Sequence, residues 1–283
     1  MFLSFTSRRN FGRALFPQHP FGSIPINEAL EFISIAGITD SIQQLAIINL
    51  VNSLKRNGLW NKMTAVYPFV GGTANSHKFN LKDPRDVDDA FRLSFVGGWT
   101  HNSNGAQPNG TNGYANTFLI PNLYLTTHNT HLLFYSRTAA TVNQRDIAAY
   151  TNSDNPSFSI GTASGTLVSD HYWYSSNRIS ASIANAQGLM IGSRISNNDH
   201  KAFRNNSQVG ATDTSPVGNN TMPSIPLFLG ALNGSNTPSG TTASFFSNKQ
   251  YAFASIGAGL TSNEVSTLYT IIQNYQTDLS RQV

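Results

Sequence analysis

The hydrophobic pattern changes period along the chain, and those changes divide it. After Thr39 and Asp40, either able to cap a helix, Ile47, Leu50, Val51 and Leu54 fall at i, i+3, i+4 and i+7. That spacing predicts a helix, with Lys55 and Arg56 in its last turn and Gly58 at the C′ position. Trp60 and Met63 continue the apolar packing through a second short turn. From Ala65 the period falls towards two. Val66-Tyr67 and Phe69-Val70 flank Pro68 as a bent strand, and Phe91, Leu93 and Phe95 alternate with Arg92 and Ser94. Leu123–Leu125, Leu132–Tyr135 and Ile147–Tyr150 follow as predicted strands, then the series from Phe158 to Ile191. Paired glycines and Asn-Gly steps such as Asn109-Gly110 and Asn112-Gly113 mark the tight turns between them.

Leu227–Gly230, Phe245-Phe246 and Tyr251–Ile256 supply the last predicted strands, with loop-like runs at 205–208, 217–226 and 233–242. Thr261-Ser262-Asn263-Glu264 is a capping box, and Val265, Leu268, Tyr269, Ile272, Tyr275 and Leu279 form one apolar face behind it. Many short strands separated by turn residues predict a mainly β chain, a sandwich or jelly roll, with a helix before it and a helix after it. The divisions expected are an arm at 1–36, a helical segment at 37–64 and the β domain at 65–283. The arm stands apart: Phe2, Phe5, Phe11, Phe16 and Phe21 are interleaved with Pro17, Pro20 and Pro25, which block a continuous helix. Five phenylalanines suit a segment that packs, either on its own domain or on a neighbouring subunit. In the second case Phe5, Arg8, Arg9, Phe11, Arg13 and Phe16 are the attachment residues.

Composition sharpens this reading. Only 11% of the 283 residues are charged, against about 25% in a typical domain. Asn, Ser and Thr supply the missing polarity, and they favour turns and strands over solvated helices. The net charge of +4 owes much to Arg8, Arg9 and Arg13, which precede the first acid, Glu28. With no basic stripe interleaved with aromatics in the folded part, nucleic-acid binding is not expected. The absence of cysteine excludes disulfides, thiolate metal sites and cysteine nucleophiles. Met1–Arg9 sets its charges after a very short apolar run, the reverse of a secretory signal, so none is expected. No run approaches the length of a transmembrane helix, and membrane insertion is not expected either.

Candidate chemistry is sparse. Asp83, Asp86, Asp88 and Asp89 crowd into seven residues with Lys82, Arg85 and Arg92, the pattern of a solvated, locally paired turn rather than of two facing carboxylates. His128 and His131 lie three apart in a β-patterned region, which does not place them on one face for a metal. No motif nominates a Ser-His-Asp triad or a nucleotide site, and no catalytic residue, metal or cofactor is expected. Aromatic and amide residues on loops are the usual means of holding sugars. Trp99, His101, Asn102 and Tyr114 form one such group and Tyr172–Tyr174 another; the competing reading places Trp99 and Trp173 in the core.

Two resemblances add to this. Leu260-Thr261-Ser262-Asn263-Glu264-Val265-Ser266-Thr267-Leu268-Tyr269 resembles the closing strand-to-helix segment of LamG-like, concanavalin A-like jelly rolls. Leu189-Met190-Ile191-Gly192-Ser193-Arg194 resembles their hydrophobic-Gly-x-Arg strand. Over most of the chain after residue 37, Tyr67-Pro68-Phe69-Val70-Gly71-Gly72, the run His77–Arg85, Gly97-Gly98-Trp99-Thr100-His101, the run Pro108–Thr117 and Phe134-Tyr135-Ser136-Arg137 are similar to segments of tailed-bacteriophage virion and tail proteins. That resemblance implies a non-enzymatic virion protein, a homotrimer, attached to other virion proteins through its arm and released from the host by lysis. Its tasks would be adhesion to a host-surface glycan or decoration of the particle. Two rivals stay open: a polysaccharide depolymerase on the same fold, and an architectural subunit without a ligand.

Overall fold

The computed structural model describes residues 28–151, 156–173, 177–217, 222–235 and 242–283. In chain order its elements begin α1 (Glu28–Ile35), α2 (Ser41–Arg56), β1 (Met63–Tyr67), α3 (Ala74–His77), β2 (Ser94–Val96), β3 (Trp99–Asn102), β4 (Gly105–Pro108), β5 (Tyr114–Asn116) and α4 (Pro121–Tyr124). They continue β6 (Thr130–Ser136), β7 (Gln144–Thr151), β8 (Pro156–Ala163), β9 (Thr166–Trp173), β10 (Arg178–Ser182), β11 (Gly188–Ser196), β12 (Asp199–Arg204) and β13 (Ser207–Asp213). The last are β14 (Phe228–Leu229), β15 (Leu232–Ser235), β16 (Ala243–Ser244), β17 (Tyr251–Gly257) and α5 (Ser262–Asp278).

The strands form two sheets of a jelly-roll sandwich. The first runs β13-β12-β11-β6-β17-β4-β3, with β1 beside β17. The second runs β10-β9-β8-β7-β14-β5-β2, with β15 parallel to β7 and β16 beside β15. Strand β6 explains the layering. Its Leu132 and Phe134 enter the core between the sheets, while Leu133 and Tyr135 face the opposite way into a second core with α1, α2 and α5. A strand buried on both faces carries a continuous apolar run, as Leu132–Tyr135 does. Leu189 and Ile191 of β11 and Phe253 of β17 join the same outer core, so the helices cover the first sheet. The second sheet turns Ile147, Ala149, Phe158, Ile160 and Leu167 inward. Its other face carries Ala148, Ser157, Ser159 and Asp170 at alternate positions.

Helix α2 is capped by Asp40, whose Oδ1 accepts from the Gln43 amide at 2.8 Å. Helix α5 has the expected box between Thr261 and Glu264. The Tyr67–Gly72 segment proves to be a bend held from the C terminus. Phe69 has φ 47°, and the Arg281 guanidinium donates to the Phe69 carbonyl at 2.6 Å and to the Pro68 carbonyl at 2.8 Å.

Several local expectations differ. Glu28–Ile35, placed in the arm on sequence, is a helix with Ala29 and Phe32 buried in the outer core. Residues 1–27, including the attachment set Phe5 to Phe16, lie outside the described residues. Leu123–Leu125 is not a strand: Pro121 at the first helical position starts a helical turn that ends at Tyr124. Phe91 breaks its alternation, because it closes a tight turn at φ 58° and the strand begins only at Ser94. Phe245 likewise leaves the ladder at φ 52°. Conversely, Ser207 and Gln208 open strand β13 rather than a loop.

Candidate functional site

The face of the second sheet turned away from the inter-sheet core holds a cleft of about 230 Å³ lined by Arg145, Tyr150, Ser157, Asp170, Arg178, Leu232 and Phe245. Strand register assembles it. Arg178 of β10 is opposite Asp170 of β9, which is opposite Ser159 of β8, then Ala148 of β7, then Leu232 of β15. A single rung across five strands therefore brings together residues separated by up to 84 positions. Beside it, Tyr150 is opposite Ser157. The parallel pairing of β15 with β7 brings Leu232 alongside.

The floor is an ion pair. Asp170, 1% exposed, accepts from Arg178 Nε at 2.6 Å and from Arg178 Nη2 at 2.7 Å, in the fork geometry that suits a carboxylate. The hydroxyls of Ser159 and Ser157 donate to its Oδ2 at 2.8 and 3.3 Å. Three of these four bonds fall on Oδ2 and one on Oδ1, and together they make Asp170 the anchor of Arg178. The walls are apolar. Phe245 is 45% exposed, and its left-handed backbone takes it out of the strand direction. The Arg145 guanidinium sits 5.5 Å from its ring, and the Arg145 amide donates to the Phe245 carbonyl at 2.9 Å. Tyr150 and Leu232 complete the walls. A polar floor between aromatic walls can take a ring with one apolar face and hydroxyls along its edge.

The sugar-holding group expected from sequence is divided by the fold. Trp99 and His101 share one face of β3, their rings stacked at 6.0 Å. Both contact Phe95, at 5.0 and 4.6 Å. The Trp99 indole N–H lies within reach of the Val96 and Tyr114 carbonyls, at 3.2 and 3.1 Å. His101 Nδ1 lies 3.0 Å from Nδ1 of His77, whose value burial, His101 and Arg281 push down to about 3. Asn102 closes the β3–β4 turn through the Asn104 amide. Tyr114 stands on the other face of β5, its ring stacked on Phe228 at 4.4 Å. None of the four lines the cleft. Of the second group, Tyr172 and Trp173 end β9, with Tyr172 opposite Ser157, while Tyr174 and the side chains of all three lie outside the described residues.

The acidic cluster is paired locally, as expected: Asp83 with Arg85, Asp86 with Lys78, and Asp88 with Arg92. Among the described residues no group of three His, Asp or Glu side chains is placed to hold a metal.

One constellation that no motif nominated is present. Ser169 Oγ lies 3.0 Å from His200 Nε2, and His200 Nδ1 lies 3.7 Å from Asp213 Oδ2. The order of groups is that of a nucleophilic triad, but the setting is not. Ser169 and His200 are fully buried between the sheets. A Cβ on Gly192 would stand 2.1 Å from the Ser169 hydroxyl, so the backbone of β11 occupies the place of a substrate. At 3.7 Å the His200–Asp213 link is electrostatic rather than a hydrogen bond. Burial lowers both His200 and its ring neighbour His171, which stays neutral beside Arg194. Burial alone would raise Asp213, but His200, Ser215 and Arg194 outweigh it and hold its carboxyl below the ordinary range. The network is a polar seam between the sheets.

No protein-family model and no curated protein sequence matches the chain. Solved structures do. A Trypanosoma rangeli sialidase variant displaying trans-sialidase activity is similar at TM-score 0.52 and 10% identity, over 82% of this chain and 39% of the other. A botulinum neurotoxin type C structure, whose cell entry depends on interaction with two ganglioside molecules, is similar at TM-score 0.50 and 14% identity, over 76% and 53%. Domain 4 of an extracellular arabinanase from Geobacillus stearothermophilus, in complex with arabinotriose, aligns at TM-score 0.46 and 15% identity, over 74% and 98%. At these identities the likeness is one of fold. The chain spans about half or less of the sialidase and neurotoxin chains.

Proposed function

We propose that this chain is a non-enzymatic glycan-binding protein of a tailed-bacteriophage virion, holding a host-surface sugar in the cleft of the second sheet. The observation that carries the reading is the cleft's construction, with Tyr150 and Phe245 as walls over the Asp170–Arg178 floor. The apolar face of a sugar ring packs on the aromatic walls, and its hydroxyls meet the guanidinium and serine hydroxyls at the base. The interaction with gangliosides named for the neurotoxin of similar fold supports glycan as the ligand class. The virion assignment rests on the sequence resemblance alone. It carries with it the trimer, attachment to other virion proteins through residues 1–27, and release by lysis. A trimer would also raise the avidity of three shallow sites without any new contact.

The non-enzymatic reading rests on carboxylate arrangement. Glycoside hydrolysis uses two carboxyl groups about 5–9.5 Å apart across the scissile bond. Asp170 is the one carboxylate among the described lining residues, and it is held in a fork by Arg178 with no second carboxylate facing it there. The test is a glycan array probed with the full chain, followed by Tyr150→Ala and Phe245→Ala variants. Binding lost at least about tenfold in both variants is expected. Binding that both variants retain places the sugar elsewhere. No binding to any host-surface glycan favours the architectural subunit, and release of reducing ends from host polysaccharide favours the depolymerase.

A further inference from the structure

The chain has no cysteine, so no disulfide can join its two sheets. At the point where β7 faces the lead-in to β17, it instead buries an amine against a carboxylate. Strand β7 has a register shift between Arg145 and Ile147. Such a bulge re-aims a side chain, and here Asp146 points into the sandwich while Arg145 stays on the cleft side. Lys249 Nζ lies 3.1 Å from Asp146 Oδ2 and 3.2 Å from Oδ1. Both residues are fully buried, as are Tyr251, Ser247 and Thr162 around them. The two carboxylate oxygens differ. Besides Lys249, Oδ1 accepts from the Tyr251 hydroxyl at 2.6 Å and the Ser247 hydroxyl at 2.9 Å, whereas among the described residues no hydroxyl donates to Oδ2. The amine is held towards the carboxyl by Gln144 Oε1 at 2.9 Å and Thr162 Oγ1 at 3.0 Å.

We propose that Lys249 and Asp146 condense to an intramolecular isopeptide bond that joins the second sheet covalently to the first. A buried ion pair is often no more stable than apolar residues of the same volume, because both charges must be stripped of water. Proton transfer from Lys249 to Asp146 removes both charges at once. Burial, assisted by Arg145 and opposed by Asp146, holds the Lys249 amine below its ordinary range. The neutral nitrogen then attacks Cγ of the protonated carboxyl. Negative charge develops on Oδ1, where the Tyr251 and Ser247 hydroxyls already donate. Collapse of the adduct breaks the Cγ–Oδ2 bond. Oδ2 leaves as water, carrying the carboxyl proton and one proton from the nitrogen. One N–C bond forms, one C–O bond breaks and one water is released, with no oxidant or co-reactant. The neutral amide that results needs no counter-ion in the core.

The test is the intact mass of the purified full-length chain under denaturing conditions, with tandem mass spectrometry of its proteolytic fragments. The expected result is a mass one water below that of the sequence, mapped to a branched peptide linking Asp146 and Lys249. Lys249→Met and Asp146→Ala variants should each show their full sequence mass, a readout that does not require them to fold. A wild-type chain shown to be folded, incubated at neutral pH and still at its full sequence mass overturns the proposal. So does a water loss that maps to any other pair.

Discussion

Arg281 ties the C terminus to the first bend of the sandwich, and its removal has a calculable cost. Its guanidinium donates to the Phe69 carbonyl at 2.6 Å, Pro68 at 2.8 Å, Ala252 at 2.7 Å and Gln276 Oε1 at 2.6 Å. Two of these acceptors have a second donor: Tyr275 Oη reaches the Pro68 carbonyl at 3.0 Å, and Gln276 Nε2 the Ala252 carbonyl at 3.2 Å. In Arg281→Ala the Phe69 carbonyl and Gln276 Oε1 are therefore the buried acceptors that lose these bonds without replacement, while the Ser103 carbonyl, 3.4 Å from the guanidinium, is only part-buried. A buried polar group left unpaired costs about 1–3 kcal/mol. Two such losses, partly offset by relief of a desolvated charge and increased by lost packing on Tyr275, come to about 3 kcal/mol. Urea unfolding followed by tryptophan fluorescence should show a lower midpoint with unchanged denaturant slope. Arg281→Lys should fall between, since an ammonium cannot reproduce the fork. A loss below about 1 kcal/mol for Arg281→Ala would refute the argument that this guanidinium secures the bend.

Two further predictions concern the polar seam and the core histidines. His131 lies with Nδ1 2.6 Å from the Ala258 carbonyl and Nε2 2.9 Å from Ser255 Oγ, an arrangement of the neutral ring, and burial lowers its value to about 4. The unfolded chain binds that proton first, so stability is fully present above about pH 6.5 and lost as pH falls towards 4, by about 1.4 kcal/mol per unit. His131→Gln should flatten the slope of urea midpoints measured from pH 7 to 4.5, and an unchanged slope contradicts the assignment. Ser169 should remain unlabelled by an organophosphonate serine probe that labels a control hydrolase, whereas stoichiometric labelling at Ser169 would establish the triad as accessible.

How much of this was legible in the sequence depends on how local each signal is. The α2 and α5 caps and periods are contained within one element, and the structure reproduces them from Asp40 and Thr261 onward. Strand β6 was legible because burial on both faces leaves an unbroken apolar run. Strand β13 was not: Ser207–Asp213 is half-exposed at the sheet edge, so Gly, Ser and Thr fill it and no alternation survives. Leu123–Leu125 shows the converse, since its apolar residues look β-like while Pro121 sets a helical turn. The cleft is the least local feature. Arg145, Asp170 and Arg178 come from three strands, and strand register alone unites them. The one signal available was an acidic residue inside a strand, as at Asp146 and Asp170. Trp99 and Tyr114 looked like one group because they are close in sequence, but they lie on opposite sides of the second sheet.

The central claim is that a glycan sits in the cleft of the second sheet, and the most direct measurement is where a bound sugar perturbs the protein. Titrating isotope-labelled full-length chain with the glycan selected on the array should shift the NMR signals of Tyr150, Phe245 and the Arg178 guanidinium. Trp99, His101 and Tyr114 should remain in place. Saturable shifts at Trp99, His101 or Tyr114 with none at Tyr150 and Phe245 would contradict the account and return the binding surface to the β3–β5 region.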